Sequence, residues 1–181
     1  MRIEGQETQN REYRRAIQLP RPDGTVWTLQ MRPLSLGFHR RLHDRGLLLP
    51  QPPVRVARDS QGRIQRDEQG HAVTLVDARD PTHLQAVQQY QQRVAVLAVA
   101  ESLQADPMVT FETPLPSDLD NNPTVWSDYA DKIFAELEVA GFSPGDLVRL
   151  CQCVCRISNL INDDLHTAQA NFSSPNPINT T

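Results

Sequence analysis

Hydrophobic and polar positions alternate with a period of two over residues 26–32, within two β-prone runs at 14–31, and recur every three to four residues in segments from position 80 onward, so the chain divides into a β-forming front and a helical back. In the front, runs 14–19 and 25–31 flank Pro20-Arg21-Pro22-Asp23-Gly24. Pro fixes φ there, Asp favours the turn and Gly supplies positive φ, which predicts a β-hairpin. The second run puts Trp27, Leu29 and Met31 on one face, and these are the first expected core residues.

Three helical segments follow from the longer period. Asp80-Pro81 is an N-cap followed by Pro at the first helical position, starting a helix to about residue 105. Leu84, Val87, Val94 and Leu97 form its stripe, and residues 94–103 are apolar on nearly every side, as expected of a central helix. Asn122-Pro123-Thr124 opens a second helix with Trp126, Tyr129, Ala130, Ile133, Leu137 and Ala140 on one face and Gly141 as its stop. Ser143-Pro144-Gly145-Asp146 opens a third, with Leu147, Leu150, Cys151, Val154, Ile157, Ser158 and Ile161 inward and Cys153 pointing away. The short link 141–143 forces these two into an antiparallel hairpin, seated against residues 84–103.

Between front and back the pattern weakens. Ser35 is a candidate cap for a short helix over 36–45, closed by Gly46, with only Leu36, Phe38 and Leu42 apolar among His39, Arg40, Arg41, His43, Asp44 and Arg45. Residues 47–53 pass from three leucines into a proline-rich connector. Arg58-Asp59-Ser60-Gln61-Gly62 then recurs eight positions on as Arg66-Asp67-Glu68-Gln69-Gly70, with short β-prone pieces around it. Residues 54–77 therefore read as a projecting β arm that cannot bury much of itself and is either mobile or completed by a partner. The predicted class is α+β: an N-terminal β-hairpin and short β arm packed with a C-terminal three-helix, mainly antiparallel bundle. Residues 13–172 form one domain with the bundle at 80–171, and residues 1–12 and 173–181 are expected to be disordered.

Charge sharpens this division. Residues 1–66 hold 13 arginines, no lysine and 6 acids, whereas residues 67–181 hold 5 basic and 16 acidic residues, for a formal net charge of −4 over 181 residues. Opposed faces of this kind favour an oriented contact with a partner or a second copy. The N-terminal residues lack the apolar centre of a signal peptide and no apolar run approaches a membrane span, so a cytoplasmic location is expected and the sequons at Asn171 and Asn179 are read as chance.

Candidate chemistry is sparse. Cys151, Cys153 and Cys155 are odd in number and spaced by two, which fits neither a disulfide framework nor zinc ligands, and they read as small buried apolar residues. His39 and His43 share a helical face but flank Arg40 and Arg41, whose charge opposes a bound dication. Asp59 and Asp67 sit in turns without the alternating oxygen ligands of a calcium loop, and Asp163-Asp164 with His166 has no nucleophile beside it. No phosphate loop, dinucleotide fingerprint or nucleophile elbow occurs. The expectation is a non-enzyme without metal or cofactor. Two function classes remain: a protein-interaction protein, and a nucleic-acid-binding regulator using Arg14, Arg15, Arg21, Arg32, Arg40, Arg41 and Arg45.

The order of segments carries a resemblance. A hairpin ending in residues 27–37, WTLQMRPLSLG, is followed by an Arg-rich helix, a helix bearing Gln92-Arg93-Val94-Ala95-Val96-Leu97, and a helical hairpin over 126–160 with Ala140-Gly141-Phe142-Ser143 at its bend. This layout resembles the tail assembly chaperones of tailed phages and prophages. The resemblance implies a chaperone in the host cytoplasm that coats the tape measure protein, or binds another tail component, during morphogenesis and is absent from the finished particle. The arm at 54–77 departs from a typical small helical chaperone. On this reading the client surface is the arm plus the basic helix, with Phe38, Arg40, Arg41, Arg45, Ile64 and Arg66 as partner-binding residues and the acidic helices docking a neighbouring copy.

Overall fold

The computed structural model describes residues 13–117 and 124–160, together with the backbone of two short paired strands, β1 (Arg2–Ile3) and β2 (Gln6–Glu7). The remaining residues of 1–12, and residues 173–181, both expected to be disordered, lie outside the described residues. So do the helix start at Asn122-Pro123, Ile161, the Asp163-Asp164-His166 group and both sequons.

The predicted hairpin is β3 (Arg15–Pro20) and β4 (Val26–Met31), antiparallel with Arg15 opposite Met31 and Leu19 opposite Trp27. Arg21 N–H donates to Thr25 O (2.8 Å) and Asp23 accepts from the Thr25 amide and hydroxyl, while Gly24 takes φ +82°. Next come helix α1 (Phe38–Asp44), the arm strands β5 (Val54–Val56) and β6 (Thr74–Val76), and helices α2 (Pro81–Leu103), α3 (Val125–Val139) and α4 (Pro144–Ile157). The class is α+β. No helix among the described residues is long and apolar enough to cross a membrane.

The start signals of α2 and α4 act as read. The Asp80 side chain accepts from His83 N–H at the start of α2. Ser143 and Asp146 form a reciprocal capping box at α4, and Gly141, at φ +86°, turns the chain between α3 and α4. The basic helix differs from expectation. Its N-cap is Gly37, and Ser35 instead hydrogen-bonds Glu101 of α2 (3.0 Å), which leaves Leu36 fully exposed ahead of the helix.

The core is two clusters divided by α2. Val96, Leu97 and Ala100 meet Phe38 and Leu42 of α1, Leu47, and Trp126, Tyr129, Ala130, Ile133 and Leu137 of α3. Val99 and Leu103 meet Leu19, Leu29 and Met31 of the hairpin and Leu150, Cys153 and Val154 of α4. This is why the second half of α2 is apolar all round: α3 covers one flank, the hairpin and α4 the other. Helices α3 and α4 each pack mainly on α2 rather than on one another. Cys153, expected to face away, is buried because the hairpin covers a side of α4 that helix periodicity alone marks as outward.

Polar clamps join the two halves. Arg32 N–H donates to Ser102 O (3.1 Å) and the fully buried Ser102 hydroxyl returns a bond to Arg32 O (2.6 Å). Asp106, also buried, accepts from the amides of Gln30 (2.7 Å) and Met108 (2.9 Å), so each buried oxygen has a donor.

Candidate interaction surfaces

The arm is built as a three-way junction. Positions 57, 65 and 73, eight apart, close a ring of backbone hydrogen bonds: Ala57 N–H to Val73 O (2.8 Å), Gln65 N–H to Ala57 O (2.9 Å) and Val73 N–H to Gln65 O (2.9 Å). Two loops and the β5–β6 stem leave this ring. The loops are copies of one another. In each, an aspartate (Asp59 or Asp67) accepts two backbone N–H groups within its own turn, and the preceding arginine (Arg58 or Arg66) reaches the carbonyl of the closing glycine at 2.8 or 2.6 Å. Backbone N–H groups donated by Arg63 and others hold the Asp59 carboxyl below its ordinary value. These bonds engage one oxygen of each aspartate with its own turn, and the described residues contain no cluster of three or more metal-ligating side chains.

The stem is fixed to the body at its root. Arg55 reaches Asp77 (3.3 Å) and Asp80 (3.2 Å), so Asp80 caps α2 with one oxygen and holds the arm with the other. Above this anchor the pairing Val54 opposite Val76 and Val56 opposite Thr74 places three valines on one face, exposed by 61% (Val54), 42% (Val56) and 63% (Val76). Leu75, on the opposite face beside Arg55, is also exposed. Only Ala57 of the arm is buried.

The six sequence-predicted contact residues separate in space and in role. Phe38 is buried in the α1–α2–α3 cluster, where it supports the helix rather than facing outward. Arg41 makes a two-oxygen contact with Glu101 (2.9 and 2.7 Å), and Arg45 stacks over Trp126 at 3.7 Å. Arg40 is exposed on α1. Ile64 and Arg66 lie on the arm, Ile64 bridged to Arg58 and Arg66 bonded to Gly70.

Arg21 has a largely buried side chain. Its guanidinium donates to Asp146 (2.7 Å) and Gly141 O (3.3 Å), and lies 3.5 Å over the Trp27 ring, which meets Phe142 edge-on. Its Nε and Nη2 are buried without an acceptor among the described residues, so the indole face supplies the compensation there. Burial alone would raise the Asp146 carboxyl, but bonds from Ser143 and Arg21 outweigh it and hold the group below its ordinary value. The sequence presents Arg21 only as a turn residue, and nothing local could pair it with Asp146.

Between β3 and α4 runs a groove of about 440 Å³ lined by Arg15, Ala16, Ile17, Gln18, Arg149, Gln152, Cys153 and Arg156. Burial pushes the Cys153 thiol up against the pull of Arg15 and Arg156, and burial pushes Cys151 up to about 12. Both are protonated at neutral pH and poor nucleophiles. Sequence reasoning missed this groove because Arg15 lies far along the chain from Arg149 and Arg156, although the i, i+3, i+4, i+7 spacing of Arg149, Gln152, Cys153 and Arg156 marks one helical face. No protein-family model, curated protein or solved structure matches the chain.

Proposed function

We propose that the chain is a non-enzymatic assembly protein that engages a protein client through its arm, acting as a tail-assembly chaperone whose client is the tape measure protein or another tail component. The observation that carries the interaction reading is the exposed valine face of the arm stem, Val54, Val56 and Val76, on a stem that Arg55 anchors to the body at its root. A valine side chain gains about 1.5 kcal/mol or more when fully removed from water, so a partner covering three of them gains a usable apolar centre. The identity of the client rests on the resemblance in segment order. The nucleic-acid reading draws less support, because Arg21, Arg41 and Arg45 are committed to Asp146, Glu101 and Trp126.

The test is co-expression with the proteins encoded on either side of the gene, using wild type and Val54→Asp/Val76→Asp. A long helix-rich neighbour should co-purify with wild type and be lost with the double variant, while the circular dichroism of the variant is unchanged. Binding that falls steeply with salt and follows nucleic acid instead would sink the reading.

A further inference from the structure

The groove between β3 and α4 combines two unmet demands. The first is charge: Arg15, Arg149 and Arg156 are exposed, line one groove, and have no carboxylate partner among the described residues. The second is backbone. Among the described residues β3 pairs only with β4, and no strand lies along its other edge. Which residues face that edge follows from the partner strand. The Gln30 amide leaves β4 outward to Asp106 and the Arg32 amide leaves outward to Ser102, so even positions of β4 point away from the hairpin. Gln30 lies opposite Ala16 and Thr28 opposite Gln18, and in an antiparallel pair both members of such a position turn their N–H and C=O outward. Ala16 and Gln18 therefore present two donors and two acceptors to the groove, and neither residue has a further hydrogen-bond partner among the described residues.

The geometry points to this groove as a docking site for an extended acidic peptide segment of a partner, which adds as a third strand beside β3 and places alternate carboxylates against Arg15, Arg149 and Arg156. Backbone pairing supplies the register and the guanidinium groups select the side chains. A phosphate matches the arginines but brings no donor for the carbonyls of Ala16 and Gln18, and a nucleic acid strand carries its donors on bases rather than at the strand repeat, whereas a peptide brings donors and acceptors at that repeat. Alternation is required because residues two apart in a strand share a face. The surface is separate from the arm, so a chain holding one segment here and a client on the arm has two independent contacts.

The experiment is fluorescence anisotropy of the full chain with three labelled probes: an alternating aspartate/valine peptide, a block peptide of the same composition, and a single-stranded oligonucleotide. The alternating peptide should bind saturably and more tightly than both others, and should slow exchange of the Gln18 amide. Arg149→Glu and Arg156→Glu should each weaken it about tenfold or more, as loss of a charge-assisted hydrogen bond predicts. Ala16→Pro removes an outward N–H without touching the β3–β4 ladder, and should weaken peptide binding while the urea midpoint stays near wild type. Equal binding of the two peptides, tighter binding of the oligonucleotide, indifference to the arginine variants, or absence of saturation would each overturn the proposal.

Discussion

At the scale of single residues the body is held by buried polar groups whose partners are far away in sequence. Asp146 caps its own helix and neutralises Arg21, so its removal strands a guanidinium that is only 9% exposed at the side chain. Asp146→Ala should cost about 3 kcal/mol in urea unfolding, the scale for breaking a buried pair. The carboxyl is depressed below its ordinary 3.8, so its contribution is fully present above that value and is lost as pH falls through it toward the folded value. Wild type should therefore lose stability between about pH 5 and pH 3 more steeply than Asp146→Asn, as measured by urea midpoints across that range. Parallel curves would mean that the Arg21 contact contributes little.

At the scale of elements the arm combines little burial with many internal hydrogen bonds. Its loops close on Gly62 (φ +79°) and Gly70 (φ +85°), where a Cβ would meet nothing within 4 Å, so only the backbone conformation resists substitution. Gly62→Ala and Gly70→Ala should each cost about 1–2 kcal/mol locally. That is a 5–30-fold rise, roughly, in hydrogen exchange at the Ala57, Gln65 and Val73 amides, with α2 amides unchanged. Equal acceleration in α2 would show that the arm and body open together. The eight-residue repeat was visible in the sequence, and its turns are as read. The closed ring at 57, 65 and 73 was not, because those positions share no residue type and are joined only through backbone atoms.

At the scale of the whole molecule α2 couples two clusters. Trp126 is part of one and Trp27 packs against the other, so each indole reports a different half. Because Val96 and Val99 belong to the same helix, Trp27→Phe and Trp126→Phe variants should give coincident fluorescence transitions in urea, each matching its own circular dichroism. Separate midpoints would show that the α1–α3 side and the hairpin–α4 side fold as independent units. The opposed charges of the two sequence halves are partly joined within the molecule, through Arg21–Asp146, Arg41–Glu101 and Arg55 with Asp77 and Asp80. The valine face of the arm and the arginines of the β3–α4 groove stay outside these pairings.

The sequence by itself determined the α+β class, the hairpin, the three long helices with the caps of α2 and α4, and the repeated turns of the arm. Each of these depends on interactions within about four residues, and the chain displays such spacings directly. Only the tertiary structure decided that Cys153 is buried, that Phe38 supports rather than contacts, and that the arginines of the basic half mostly serve the fold. It also decided that Arg15 meets Arg149 and Arg156 across one groove. These outcomes turn on which surface covers which, and a helix face or a strand edge acquires its role only when a segment distant in the chain is packed against it or left away.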